Sequence, residues 1–151
     1  MSAGFRTRPR ELAKLREAVA YGMLNLGHAV ETDTKRETVV RGGHRSFNTV
    51  LKADGTPQVG GTLRRSVHTA AYLDGRQIGG VATDENGETT PAYAAGAGIR
   101  VFVGTNSGYG FFVDQGTDKM PARPALVPAL LKNKSDAPAL IAAGARKKLG
   151  Q

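Results

Sequence analysis

Cysteine and tryptophan are missing from this sequence, and aromatic residues make up only 6% of it. Without a thiol there is no disulfide framework, no thiolate metal site and no cysteine nucleophile. That absence fits a chain made in a reducing compartment. A core short of large rings has to be filled by Leu, Val, Ile and Ala. No run approaches the roughly 18 consecutive apolar residues that span a bilayer. No signal-peptide hydrophobic stretch follows the basic start, so a cytosolic site of synthesis and no membrane contact are expected. Histidine is scarce as well. His28, His44 and His68 fall on different segments, and no cluster of two or three histidines with partner carboxylates exists at ligand spacing. No metal site and no cofactor are expected.

What the 151 residues do hold is enough apolar material for one α+β domain over 1–151, punctuated by 20 glycines and seven prolines. Charge is unevenly spread. Residues 1–65 carry twelve Lys/Arg against six Asp/Glu, residues 66–118 two against six, and residues 119–151 seven against one. Two basic ends thus flank an acidic middle. The pattern suits contact with nucleic acid, and it suits copy-to-copy complementarity equally well; the alternation of sign favours assembly.

Pro9 sits well at the first position of a helix, where its missing N–H costs nothing. Leu12, Leu15, Val19, Met23, Leu26 and Val30 then recur at steps of three and four, which predicts one apolar stripe on a helix from Pro9 to about Glu31. Lys14, Arg16, Glu17 and Asn25 fall off the stripe and are expected to face water. The charged run "ETDTKRETVVRGGHRS" (31–46) reads as a fraying helix end leading into a flexible loop over about 31–62. Thr62 is placed to cap a short helical turn, "LRRSV" (63–67).

Asp74-Gly75 between "SVHTAAYL" (66–73) and "RQIGGVAT" (76–83) predicts a hairpin closed by a type I′ turn, with Val67, Thr69, Ala71 and Leu73 on one face. A second flexible loop is expected over 84–98, which has no apolar period. "IRVFVG" (99–104) alternates as a third strand with Ile99, Val101 and Val103 inward. The aromatic cluster of "SGYGFFVDQGT" (107–117) suits a helical turn or bend. Helix returns after the prolines through Leu126, Val127, Leu130 and Leu131. Ser135 offers a cap to a last helix over 136–150, whose Lys147 and Lys148 suit the negative helix terminus. The expected architecture is α+β: a long N-terminal helix, a small antiparallel sheet with a hairpin, and a C-terminal helix or helix pair.

Catalytic patterns are weak. Ser66 and Ser107 lack a nucleophile elbow. Asp114 and Asp118 have no base, nucleophile or pocket pattern beside them, and are expected to cap the turn around Gly116. "GTNSGYG" (104–110) lacks the Gly-Lys-Ser/Thr ending of a phosphate loop. The short basic runs "RTRPR" (6–10), Arg64-Arg65 and "ARKK" (145–148) are ordinary solvated faces by default, and contacts to DNA or to acidic patches by function. No acid, base and nucleophile come together, so no enzymatic activity is expected.

Two stretches carry more. "TPQVGGTLRRSV" (56–67) and "VFVGTNSGYGFFVDQGTDKMPARPALVPAL" (101–130) resemble, in order and spacing, paired segments of the head–tail connector, neck or tail-completion proteins of long-tailed bacteriophages, a family of minor tail components. About half the chain is covered directly. Three departures stand out: Ala125 replaces a usual Phe, Asp114 a usual Glu, and Gly110 a usual Ala. Phe111 or Phe112 is expected to compensate for the ring missing at Ala125.

The resemblance implies a ring-forming virion protein at the head–tail junction, assembled in the host cytoplasm, with no catalysis. The implied partners are copies of itself in a six-fold ring, a head-closure or adaptor protein, and a tail-terminator or tail-tube protein. Non-specific contact with phage DNA is a further expectation. Candidate interface and structural residues are Leu63, Arg64, Tyr109, Phe112, Asp114 and Gly116, continuing through Thr117, Arg123, Pro124, Leu126 and Pro128. Gly116 can turn the chain with a positive φ, and Pro121, Pro124 and Pro128 leave the path little slack. The helix is therefore expected to begin within 124–128, aimed at a set angle from the sheet. The alternative is a small basic nucleic-acid-binding module.

Overall fold

Pro9 opens the first helix, α1 (Pro9–Arg41), in the computed structural model, which describes residues 8–41, 62–80, 96–105, 107–119 and 121–150. The helix continues ten residues past the expected end at Glu31. Its charged segment is held by pairing rather than frayed: Lys35 and His28 both reach Glu31, and Arg36 lies 3.7 Å from Asp33. Thr34 and Thr38 donate their hydroxyl protons to the carbonyls of Val30 and Thr34, at 2.7 and 2.8 Å. The expected loop over 31–62 is therefore helical as far as 41, and its remainder up to 61 lies outside the described residues, as do 81–95.

A short helix, α2 (Thr62–Ser66), leads into a three-stranded antiparallel sheet of β1 (Val67–Leu73), β2 (Arg76–Gly80) and β3 (Ile99–Thr105), in the order β2-β1-β3. The hairpin forms where expected. Asp74 and Gly75 take φ of 49° and 80°, the paired positive values of a type I′ turn. Asp74 also fastens the turn to the rest of the fold. Its carboxylate accepts from the Gly98 amide at 2.8 Å and from Arg16 Nη2 at 2.9 Å. The Gly98 hydrogen bond, reinforced by Arg16, holds this carboxyl below its usual range.

The central strand β1 is buried on both faces. Val67, Thr69 and Ala71 point to α1, and the Thr69 hydroxyl donates to the Gly27 carbonyl at 3.0 Å. Val101 and Val103 pair with Ala71 and Thr69 in register, so the expected inward face of β3 is the observed one. On the opposite face Tyr72 meets Phe102 edge-on, ring centres 6.1 Å apart.

Three more helices complete the chain: α3 (Gly108–Gln115), α4 (Leu126–Lys132) and α5 (Ala137–Leu149). α5 runs antiparallel to α1 on the side away from the sheet, so that α1 lies between two layers. Asn25 Nδ2 donates to the Leu140 carbonyl at 2.8 Å, and Lys148 Nζ sits 3.0 Å from Glu17 and 4.2 Å from the ring centre of Tyr21. Asn25, expected in water, is a half-buried contact to α5. The last helix is preceded by Asp136 rather than capped by Ser135, and the Ser135 hydroxyl donates to Asp136.

The stripe on α1 is only partly used. Val30 is buried, while Leu12, Leu15 and Val19 remain 44%, 50% and 42% exposed. The buried positions facing sheet and α5 are mostly small, Ala18, Ala20, Gly22 and Gly27, with Leu24 packed over Gly79 of β2. A layer that must accept neighbours on two opposite sides selects small side chains on both, because backbones then approach closely.

Candidate functional site

The described residues between the end of β3 and the start of α4 fold as one corner. Ser107 enters α3 in extended conformation, its amide donating to the Thr105 hydroxyl at 3.1 Å. Gly110 is buried, and a Cβ placed on it would overlap the Thr105 methyl and lie 3.1 Å from Leu63 Cδ1. Glycine at this position thus accommodates the close approach of Thr105 and Leu63.

Gly116 ends α3 with φ 79°, as expected of a sharp turn, and its amide donates to the Phe112 carbonyl at 2.9 Å. The following turn is closed by the Thr117 hydroxyl, which accepts from the Lys119 amide at 3.3 Å. Of the two aspartates expected to cap the turn, Asp114 accepts from the Gln115 side chain at 2.9 Å.

The proline segment then doubles back along α3, and the Arg123 amide donates to the Val113 carbonyl at 2.8 Å. Pro124 disfavours helical backbone at Arg123, and α4 begins at Leu126, inside the expected 124–128 window. Pro128 falls in the first turn of α4, where an amide has no intrahelical acceptor to lose. Downstream, Asp33 of α1 fixes the far end of α4 by accepting from Lys132 Nζ at 2.9 Å and Asn133 Nδ2 at 2.8 Å. The Lys132 and Asn133 bonds hold the Asp33 carboxyl below the ordinary carboxylate range.

Inside the corner is a cavity of about 430 Å³. Leu63, Val67, Val113 and Leu126 give it apolar walls, and Asp114 and Arg123 bring charge to its edge. The cavity collects Leu63, Asp114, Arg123 and Leu126 from the candidate residues. Gly116, Thr117, Pro124 and Pro128 form the frame around it. Arg64 is exposed on α2 and contributes nothing to the lining; Tyr109 lies in α3, with its side chain outside the described residues. One wall comes from Thr34, Glu37 and Thr38 of α1, which a helix ending at Glu31 could not supply. The alternation of Glu31 with Lys35 one turn later was the available sign that the helix continues.

Phe111 lines the cavity together with Ala125, yet both rings stay open to water. Phe111 and Phe112 are 68% and 51% exposed, and stack edge-on against one another with centres 5.9 Å apart. The site therefore presents two rings to solvent on a braced support.

Chemistry is sparse. Among the described residues, no three His, Cys, Asp or Glu side chains come together as a metal site. His28 pairs with Glu31 at 3.4 Å, His68 is half-buried on β1, and His44 lies outside the described residues. No helix among the described residues is long and apolar enough to cross a membrane.

Antiparallel packing of α1 and α5 also brings together basic segments from the two ends of the sequence. Arg8, Arg10, Lys14 and Arg16 lie at the same end of the molecule as Arg146, Lys147 and Lys148, all exposed. No family model matches the chain, and neither a curated protein nor a solved structure matches it.

Proposed function

We propose that this chain is a structural subunit of a phage virion, a neck or tail-completion protein that assembles with copies of itself into a ring joining the head connector to the tail. The observation that carries the reading is the corner itself. Gly116, the Arg123–Val113 hydrogen bond and three prolines brace the path from β3 to α4, while Phe111 and Phe112 on the same frame face solvent. A side-chain pair of this size is costly to leave in water, by about 1.5–3 kcal/mol for each ring fully exposed. A fixed angle between sheet and closing helices is what identical copies need for contacts to close around a ring, since angular errors accumulate.

The resemblance of 56–67 and 101–130 to connector proteins supports a place at the head–tail junction, between a head-closure or adaptor protein and a tail-terminator or tail-tube protein. The role is architectural. Light scattering and electron microscopy of the purified chain test it: closed rings of a single size are expected, and a chain that stays monomeric at high concentration overturns the reading.

The cluster of cations where α1 and α5 meet favours a second reading, a basic module that grips nucleic acid through its phosphates. Mobility-shift titration with random duplex at increasing salt separates the two. Monomers that bind duplex tightly, with affinity falling steeply as salt rises, support the second reading. Ring-sized particles formed without nucleic acid support the first.

A further inference from the structure

Among the described residues, the exposed large apolar side chains fall into two groups. Leu12, Leu15 and Val19 lie on the first turns of α1, joined by Leu149, which follows the Lys148 bound to Glu17. Toward the other end of α1 lie Phe111 and Phe112 on α3 and Val127, Leu130 and Leu131 on α4, each between 51% and 68% exposed. α4 is tied to α1 at Asp33, and α3 shares the cavity wall with Thr34 and Thr38. From Leu15 to Asp33 along one unbroken helix is about 27 Å at 1.5 Å per residue. The leucine patch and the phenylalanine patch therefore sit at opposite ends of α1.

Patches so placed cannot cover each other within one chain. We propose that they cover each other between copies: the leucine patch of one subunit docks on the phenylalanine patch of the next. This rests on the ring reading above and deepens it by naming the two surfaces. With about 180 Å² for a fully exposed large apolar side chain, the fractional exposures correspond to about 500 Å² on the phenylalanine patch and about 300 Å² on the leucine patch. Their union removes about 800 Å² of apolar surface, the apolar share of an interface of standard size.

Pairing each patch with its own kind fits less well. Two leucine patches hide only about 600 Å² by the same measure, and they would set exposed Arg8, Arg10 and Lys14 against the same cations of the other copy. Two phenylalanine patches would leave the leucine patch of every copy in water. Head-to-tail docking covers both patches with one kind of contact, repeated around a ring.

Two variants test the contact by complementation. Leu12→Asp/Leu15→Asp spoils the leucine patch, and Phe111→Asp/Leu131→Asp spoils the phenylalanine patch. All four sites are exposed, so folding is expected to survive, and circular dichroism verifies it; Leu15→Asp and Val127→Asp as single changes replace any double variant that loses its helical signal. By light scattering, each variant alone is expected to be monomeric. Their equimolar mixture is expected to form heterodimers and nothing larger, because one intact leucine patch meets one intact phenylalanine patch. Homodimers of either variant alone, or a mixture that stays monomeric while the unaltered chain forms rings, overturn the contact and leave the ring reading standing. An unaltered chain that stays monomeric overturns both.

Discussion

The crossing of α1 and α5 offers the sharpest stability prediction, because its sign is opposite to that of an ordinary helical glycine. Gly144 of α5 lies against Gly22 of α1. A Cβ on Gly144 would fall 2.8 Å from Gly22 Cα, 2.8 Å from Asn25 Cβ and 2.9 Å from the Tyr21 carbonyl oxygen. Carbon atoms in contact prefer roughly 3.5–4.0 Å, so Gly144→Ala requires α5 to withdraw by about 1 Å, losing up to half the attraction of the neighbouring pairs.

Overpacking of this kind costs about 1–3 kcal/mol. Lengthening the 2.8 Å bond from Asn25 to the Leu140 carbonyl adds about 1 kcal/mol. Against this, alanine gains about 1 kcal/mol over glycine in a helix interior. The net expectation is destabilisation by about 2 kcal/mol, a fall in Tm of roughly 4–8 °C for a chain of this size. Thermal unfolding followed by circular dichroism, with urea titration for ΔG, measures it. Gly104→Ala is the control, since a Cβ there meets nothing within 4 Å. Gly22→Ala should behave like Gly144→Ala, and the double variant should cost less than the sum, because one displacement of α5 relieves both clashes. If Gly144→Ala proves as stable as the original chain or more so, the close crossing is wrong.

Two further outcomes follow from single contacts. Thr69→Val keeps the shape but loses the buried hydroxyl that donates to the Gly27 carbonyl, and is expected to cost about 1 kcal/mol by urea titration. Asp33 has a depressed folded-state pKa, so its contribution is fully present above the ordinary carboxylate range and is lost as pH falls through the folded value. Asp33→Asn should therefore destabilise the chain at pH 7 by about 1–2 kcal/mol, allowing for the exposed Lys132. It should also show a smaller further loss on acidification than the original chain, read as the change in Tm between neutral and acid pH.

Local rules carried the hairpin, β3 and the corner into the sequence reading. Asp74-Gly75 is one of the few pairs that accept two successive positive φ values, alternation gave β3 its inward face, and proline geometry limits where α4 can start. The rest depended on distant partners. Residues 31–41 look like a frayed end because their charges are read against water, whereas Asp33 finds Lys132 and Asn133, and Glu31 finds Lys35. Periodicity located an apolar stripe on α1 but not which of its turns would be covered; glycine and alanine on the flanking faces mark the true contacts with sheet and α5. Asn25 reads as a surface residue until Leu140 arrives from the far end of the chain. The cavity was invisible for the same reason, since its walls come from six separate elements.

That the braced corner aims the closing helices for assembly is tested most directly by native mass spectrometry of Pro124→Ala/Pro128→Ala beside the unaltered chain. Removing both rings restores backbone freedom worth about 0.4–1 kcal/mol each in the unfolded chain, so the subunit is expected to keep its fold. The unaltered chain should give one ring mass, and the variant a spread of masses with open or incomplete oligomers. A variant that forms the same single ring, with the same resistance to dissociation, contradicts the account.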